Sequence, residues 1–221
     1  MAELILKNVH YRYPGTKKDV LKGVDAVFPE GKLCAICGRS GAGKSTLMYL
    51  LSGLDVPSEG EILYNGKPLT KKMLDSYRRK EAATIAQSYL LFPTRTALEN
   101  VLYPMALAGL PKKEAVEKAK ESLRLVGLGE EHYGRLPGKL SGGEQQRVAI
   151  ARCLCSSANV IAADEPTGNL DEENADGVLN LLKELAHTHG KTVIVVTHDS
   201  YIAQSCDLRY RIKAGKIEPE E

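Results

Sequence analysis

Three stretches of this chain combine small and charged residues in ways suited to phosphate chemistry. GRSGAGKS, Gly38 to Ser45, fits the pattern G-x-x-x-x-G-K-[ST]. A triphosphate crowds negative charge, and glycines at 38, 41 and 43 let a backbone turn tightly and aim N–H groups at its oxygens. A helix starting near Lys44 would add the positive end of its dipole. Lys44 is then expected to reach the β and γ oxygens, and the Ser45 hydroxyl to sit on Mg²⁺. Arg39, Ser40, Ala42 and Thr46 complete the stretch expected to line a nucleotide. A glycine-rich turn before an ordinary helix is the plain alternative. The full pattern, with an apolar strand before it and a helix after it, argues against that.

VIAADE, Val160 to Glu165, is an apolar run ending in two carboxylates. Asp164 at a strand end suits Mg²⁺ coordination, directly or through water. Glu165 is not needed for that role, and a second carboxylate near a γ-phosphate can orient and polarise an attacking water. His198 in VIVVTHD also follows an apolar run; by itself it reads equally well as structural or catalytic. Gln87 after AATIA can cap a strand, and Tyr13 can be a core aromatic. LSGGEQQR, Leu140 to Arg147, reads two ways. Ser141 with Gly142 and Gly143 offers free N–H groups and room for a phosphate at a helix start. Ser141 followed by Glu144 fits an ordinary capping box just as well.

The elements that must position these groups follow from periodicity and punctuation. ELILKNVHYRY and VLKGVDAVFP alternate as strands, with the turn YPGTKKD between them. Leu33 to Cys37 is predicted to be the strand feeding the glycine-rich loop, and Lys44 to Gly53 the helix leaving it. A short strand, Glu61 to Tyr64, precedes the turn Asn65-Gly66. Between about 93 and 152 the character becomes helical: TALENVLYPMALAG, KKEAVEKAKESLRLVG and Ser141 to Cys155 read as helices. Strand and helix patterns then alternate through Val160–Ala163, Asp171–His189, Thr192–Thr197 and Ser200–Ser205, as parallel strands with crossover helices require. LRYRIKAGKIEP reads as a hairpin turning at Ala214-Gly215. The expected fold is α/β, with a mainly parallel sheet, an antiparallel β subdomain and an inserted helical subdomain, all in one domain over 1–221.

Composition narrows the partners. With 30 basic and 28 acidic residues the net charge is +2, which lacks the basic excess of a nucleic-acid binder. No run approaches the ~18 apolar residues of a membrane helix, and the N-terminus lacks a signal-peptide pattern. Five cysteines without a secretion signal are expected to be reduced thiols. Cys34 and Cys37 form a C-x-x-C, but within an apolar strand and without a second ligand pair. A structural reading is preferred over zinc or redox chemistry.

GRSGAGKS, LSGGEQQR and VIAADE, in that order along the chain, resemble the ATP-binding cassette (ABC) ATPases, over nearly the whole chain. LSGG is that family's own signature. The resemblance implies roles that spacing alone leaves open. Tyr13 would stack on adenine, and Gln87 would be the lid glutamine near Mg²⁺ and the transport partner. Ser141, Gly142 and Gly143 would contact the γ-phosphate of ATP held by a second subunit. Asp164 would bind Mg²⁺ beside Ser45, Glu165 would be the catalytic base, His198 the switch histidine and Asp171 part of a coupling loop. The implied ligands are ATP and Mg²⁺, and the implied unit is an ATP-dependent homodimer driving a membrane permease. That places the chain in the cytoplasm, on the inner face of the membrane. ADEPTGNLD, LFPTRTALENV and SGLDVPSEGEI resemble the branch of lipoprotein-releasing, macrolide-export, cell-division and peptide-resistance ATPases. ATIAQ and RCLC depart from that branch's usual residues. Because the chain stops at Glu221, the permease is expected to be separate. The alternative is a soluble ABC ATPase acting on DNA or ribosomes, which would show a long coiled-coil insert or a second cassette; neither is found in the sequence.

Overall fold

The computed structural model describes residues 3–220 apart from Asn169 and Asp171, and omits the side chains of Glu172 and Glu173. Asp171, expected in a coupling loop, therefore lies outside the described residues. The chain divides into two compact units, Met1–Thr84 with Ala158–Glu165 and Leu182–Glu221, and Ile85–Ser157 with Pro166–Leu181.

The first unit holds two sheets. β1 (Leu4–Tyr11), β2 (Leu21–Phe28), β4 (Glu59–Tyr64) and β5 (Lys67–Pro68) form an antiparallel sheet in the order β2-β1-β4-β5. Its register slips between Lys7 and His10, where Asn8 takes φ 47°. A bulge of this kind needs a bare partner, and a side chain at Gly60 would collide with the backbone of Lys7 and Asn8.

The second sheet runs β10-β9-β3-β8-β7-β6. Its strands are β3 (Leu33–Cys37), β6 (Ala82–Ile85), β7 (Val160–Asp164), β8 (Thr192–Thr197), β9 (Leu208–Lys213) and β10 (Lys216–Glu220). Every residue of β8 is buried, and so are Leu33 to Ile36 of β3. Continuous burial explains why these strands read as unbroken apolar runs. β3, β8 and β7 are parallel, with Cys37 opposite Thr197 and Asp164 opposite Val196. This register brings three strand ends flush. The glycine-rich loop, His198 and the Asp164-Glu165 pair thus leave the sheet along one edge, where ligands of open parallel sheets bind.

The helices of this unit are α1 (Lys44–Leu51), α2 (Leu74–Lys80) and α8 (Ser200–Gln204). α1 and β2 share one apolar core with β1, β3 and β8 through Leu47, Leu50, Phe28, Leu6, Ile36 and Ile194. Sequence periodicity did not mark α2, because only Leu74 and Tyr77 face inward. Its basic cluster Arg78-Arg79-Lys80 occupies the last turn, where it complements the helix dipole.

The second unit is helical. α3 (Ala97–Leu107), α4 (Lys112–Leu125) and α6 (Gly142–Leu154) pack on one another, with the short α5 (Glu130–Tyr133) before α6. α4 buries Ala115, Ala119, Ser122 and Leu123, one stripe at helical spacing. Thr96 and Ser141 cap α3 and α6 with complete capping boxes. Asn100 is fully buried and replaces water for the preceding turn: its side chain accepts from Phe92 N–H at 2.8 Å and donates to the carbonyls of Phe92, Arg95 and Thr96 at 3.0–3.2 Å. α7 (Glu172–His187) starts in this unit and ends in the first.

Candidate active site

The loop after β3 has the shape its glycines allow. Gly41 and Gly43 take φ 75° and 113°, and Gly43 is the N-cap of α1 without any side-chain cap bond. The first-turn amides of α1 are thus left to an outside acceptor. A Cβ at Gly38 would strike the carbonyl of Ile212 in β9, so the loop can leave β3 beneath β9 only as glycine. At Gly41 an added Cβ would meet nothing within 4 Å, so space stands open over the loop. An open cleft of about 440 Å³ is lined by Gly38, Arg39, Ser40, Gly41 and Ala42 with Arg211 to Ala214. Lys44 folds back over the loop, its Nζ donating to the carbonyls of Gly38 at 2.7 Å and Arg39 at 3.3 Å. That third donor position of the ammonium is available to a phosphate oxygen. Ser45 is exposed on the first turn, while Thr46 is buried.

Tyr13 stands partly exposed, edge-on to Tyr11 with ring centroids 5.1 Å apart. Its hydroxyl shares a 3.0 Å hydrogen bond with Thr46 Oγ1, which ties the ring to the helix leaving the loop. Tyr11 is the core aromatic of the pair, buried and donating to Asp55 at 3.0 Å. Tyr13 is 40% exposed and so keeps aromatic surface open to solvent.

The carboxylates differ in kind. Asp164 is half-buried, and burial, reinforced by the neighbouring Glu165 charge, pushes its carboxyl above the usual aspartate range; Lys44 opposes this. Glu165 sits at φ 46°, a left-handed backbone that a non-glycine residue occupies only when other contacts hold it there. Its N–H donates to Val196 O at 2.9 Å. Its Oε1 lies 2.8 Å from His198 Nδ1, and Oε2 accepts from Thr197 Oγ1 at 3.4 Å. An ionised Glu165 only accepts, so His198 donates from Nδ1 and its Nε2 remains free to meet a ligand. Thr197 was not singled out by sequence, because a threonine closing an apolar strand carries no signal. It is fully buried, and its hydroxyl also accepts from Asp199 N–H at 3.0 Å. Asp199 in turn caps α8.

In the second unit, Ser141 is exposed at the N-cap of α6. Its Oγ accepts from Glu144 N–H at 3.2 Å, and its own N–H donates to Glu144 Oε2 at 2.6 Å. The capping box and the phosphate role are compatible: the cap uses an oxygen lone pair, and the hydroxyl proton is left to donate. A side chain at Gly142 would meet the Tyr89 hydroxyl at 3.0 Å, and one at Gly143 would meet Leu170 at 3.5 Å. Gln87 is exposed in the turn after β6. Tyr89 and Leu90 follow it with φ 61° and 47°, and Arg152 of α6 holds both carbonyls at 3.1 and 2.7 Å.

These donors suit a magnesium nucleotide better than a bare metal. No cluster of three or more His, Cys, Asp or Glu fit to hold an ion exists among the described residues. Mg²⁺ typically takes one or two carboxylates and completes its shell with water and substrate phosphates. A hydroxyl at Ser45 and a carboxylate at Asp164 match that need. In the C-x-x-C, Cys34 is buried, and burial pushes its thiol up to about 12. Cys37 ends β3 half-exposed, its thiol also raised by burial. No helix among the described residues is long and apolar enough to cross a membrane.

Comparison with known proteins agrees with this geometry. The ABC transporter family model matches residues 21–168. An ABC transporter ATP-binding protein of Thermotoga maritima is 45% identical over 205 residues, covering 91% of this chain and 87% of that one. The ABC transporter ATP-binding protein YclH of Bacillus subtilis is 39% identical over 221 residues, covering 100% of this chain and 98% of its own. Among solved structures, the ATP-binding cassette MJ0796, described as dimeric in a post-hydrolysis state with ADP and Pi, superposes with a TM-score of 0.90 at 37% identity, covering 99% of this chain and 97% of that one. CbiO1 of Clostridium perfringens, part of the ABC transporter complex cbiONQ, gives 0.87 at 30% identity, covering 97% of this chain and 86% of that one. The fold is that of P-loop NTPases, with a mixed sheet and helical insertions. The chain belongs to the ABC transporter family, as an ATP-binding component of the ATP-hydrolysing kind.

Proposed function

We propose that this chain is the ATPase subunit of a transporter whose permease is a separate chain, and that it works as a homodimer with two composite ATP sites. The observation that carries this is Glu165: a carboxylate on a left-handed backbone, held by His198, beside a metal-suited Asp164, at the sheet edge from which the glycine-rich loop departs. Residues 38–46 and Tyr13 bind the nucleotide, with Lys44 on the β and γ oxygens. Ser45, Asp164 and Gln87 hold Mg²⁺, which when bound offsets phosphate charge. Glu165 orients and deprotonates the attacking water. His198, fixed by Glu165 through Nδ1, donates from Nε2 toward the γ-phosphate in its protonated form. Ser141, Gly142 and Gly143 complete the site of the other copy. The dimeric cassette MJ0796 supports this assembly by its likeness.

The whole chain, 1–221, acts as one cassette. ADEPTGNLD, LFPTRTALENV and SGLDVPSEGEI favour the export or extracytoplasmic-work branch, with lipoprotein, peptide or drug as cargo and attachment to the inner membrane face through the permease. The experiment is Glu165→Gln with Mg-ATP. Turnover is expected to fall about 10²–10⁴-fold, the range of a lost general base, while nucleotide remains bound and a dimer appears by size-exclusion chromatography. A variant that stays monomeric with ATP, or that hydrolyses it at the wild-type rate, would overturn the reading.

A further inference from the structure

The signature serine is held by a side chain that lies outside the signature. Glu144 uses Oε2 to accept from Ser141 N–H at 2.6 Å. Its other oxygen, Oε1, lies 3.0 Å from Nε2 of His132 and 4.0 Å from Arg135 Nη1. The carboxyl of Glu144 is held below the usual glutamate range, first by the Ser141 N–H and, against burial, also by His132. It is therefore ionised near neutral pH and can only accept, so His132 Nε2–H is the donor. The two side chains are only 14% and 19% exposed, which sets this contact apart from a loose surface pair.

The ring of His132 is placed from several sides. His132 N–H donates to Gly129 O at 3.0 Å, and His132 O accepts from Arg135 N–H at 3.0 Å. The adjoining Tyr133 is buried and donates to Lys120 O at 3.2 Å. Arg135 O accepts from Ala97 N–H of α3 at 2.8 Å. Nδ1 of His132 is buried near Glu131 Oε1, at 3.0 Å, without a hydrogen bond of its own. Of the two ring nitrogens, Nε2 is the one whose contact leads to Ser141, through Glu144. A capping glutamate free at its second oxygen could serve Ser141 from several rotamers. One pinned at both oxygens has one, and so fixes the Ser141 amide, while the Glu144 N–H holds Ser141 Oγ at 3.2 Å.

We propose that His132 is a positioning residue of the composite ATP site: through Glu144 it sets the direction in which Ser141 donates to a phosphate held by a second copy. This rests on the functional reading above. The test uses the Glu165→Gln chain with Mg-ATP as parent, adding His132→Leu or His132→Gln. Leucine removes the donor; glutamine restores one at similar reach. His132→Leu should weaken ATP-driven dimerisation by about tenfold, the worth of one hydrogen bond to a charged group. Mg-ATP affinity of the dilute monomer should not change, and His132→Gln should recover most of the dimer. A purely structural role would lower the melting temperature without this split. Equal dimerisation by parent and leucine variant overturns the proposal. If the leucine variant does not fold, a folded glutamine variant that dimerises tenfold more weakly than the parent also overturns it, and one that matches the parent supports it. A parent that fails to dimerise with ATP removes the functional reading and this proposal together.

Discussion

The two regions proposed to meet phosphate are built on opposite physical terms. At the ends of β3, β7 and β8, charge is brought half out of water: Asp164 is raised by burial, Glu165 is held in a left-handed backbone, and Lys44 is folded onto loop carbonyls. At the start of α6 no described residue takes a left-handed backbone, and the Glu144 carboxylate is paired at both oxygens. Ser141 is exposed and caps its helix with an ordinary capping box, and Gly142 and Gly143 are ordinary helical residues. The strand-end region accepts a stability cost in order to hold groups ready for a polyanion. The helix start is locally favourable whether or not a ligand ever arrives. Damage to the first region should appear within a single chain. Damage to the ligand role of the second, as distinct from its cap, should appear only in what requires two.

The largest effect expected on binding is that of Lys44→Ala. A lost charge-assisted hydrogen bond is worth about 1.5–3 kcal/mol, so Mg-ATP affinity should fall roughly 10–100-fold in a calorimetric titration of the monomer. Nucleotide affinity equal to wild type would remove Lys44 from the site and collapse the contrast from its stronger side.

Ser141 allows the two roles of the helix start to be separated. Ser141→Ala removes the cap and should cost about 1 kcal/mol, seen as a melting temperature lower by about 2–4 °C. Ser141→Asn keeps a good cap, so its melting temperature should stay within about 2 °C of wild type. Its amide is bulkier than a hydroxyl and presents a different donor, so ATP-driven dimerisation in the Glu165→Gln background should weaken about tenfold all the same. Should the asparagine variant dimerise as tightly as its parent, the helix start is only a cap and the two-region contrast fails.

Much of this was legible in sequence because it depends on local pattern. Leu33–Cys37 and Thr192–Thr197 run as strands over the residues that continuous apolar character marked. The hairpin turns at Ala214-Gly215, and α6 begins one residue after its capping serine. Lys44, Asp164, Glu165 and His198 were visible because each follows a strand or loop with its own spacing. What stayed hidden is held by contacts distant in sequence. The flush strand ends come from the pairing of Cys37 with Thr197 and Asp164 with Val196, which no local window contains. Gly38 owes its necessity to Ile212, Glu165 its orientation to Thr197, and Glu144 its second partner to His132. α2 escaped because a short helix with two inward residues has too little periodicity to read.

The smallest effect is also the one that tests the cost of the strand-end region most directly. Asp164 has its folded carboxyl raised above the ordinary value, mainly by burial. For a group shifted in that direction, the stabilising contribution is complete below the unfolded value of about 3.9 and is lost as pH rises through the folded value. At neutral pH the nucleotide-free protein therefore carries a penalty that Asp164→Asn removes. In chelator, without nucleotide, the asparagine variant should melt slightly above wild type at pH 7, and the gap should close as pH falls toward 4. With Mg-ATP the order should reverse, because only the carboxylate can share in holding the cation. A variant less stable than wild type at pH 7 in chelator would mean that Asp164 serves the fold. The strand ends would then be no more costly than the capped helix, and the difference between the two regions would lie in their residues alone.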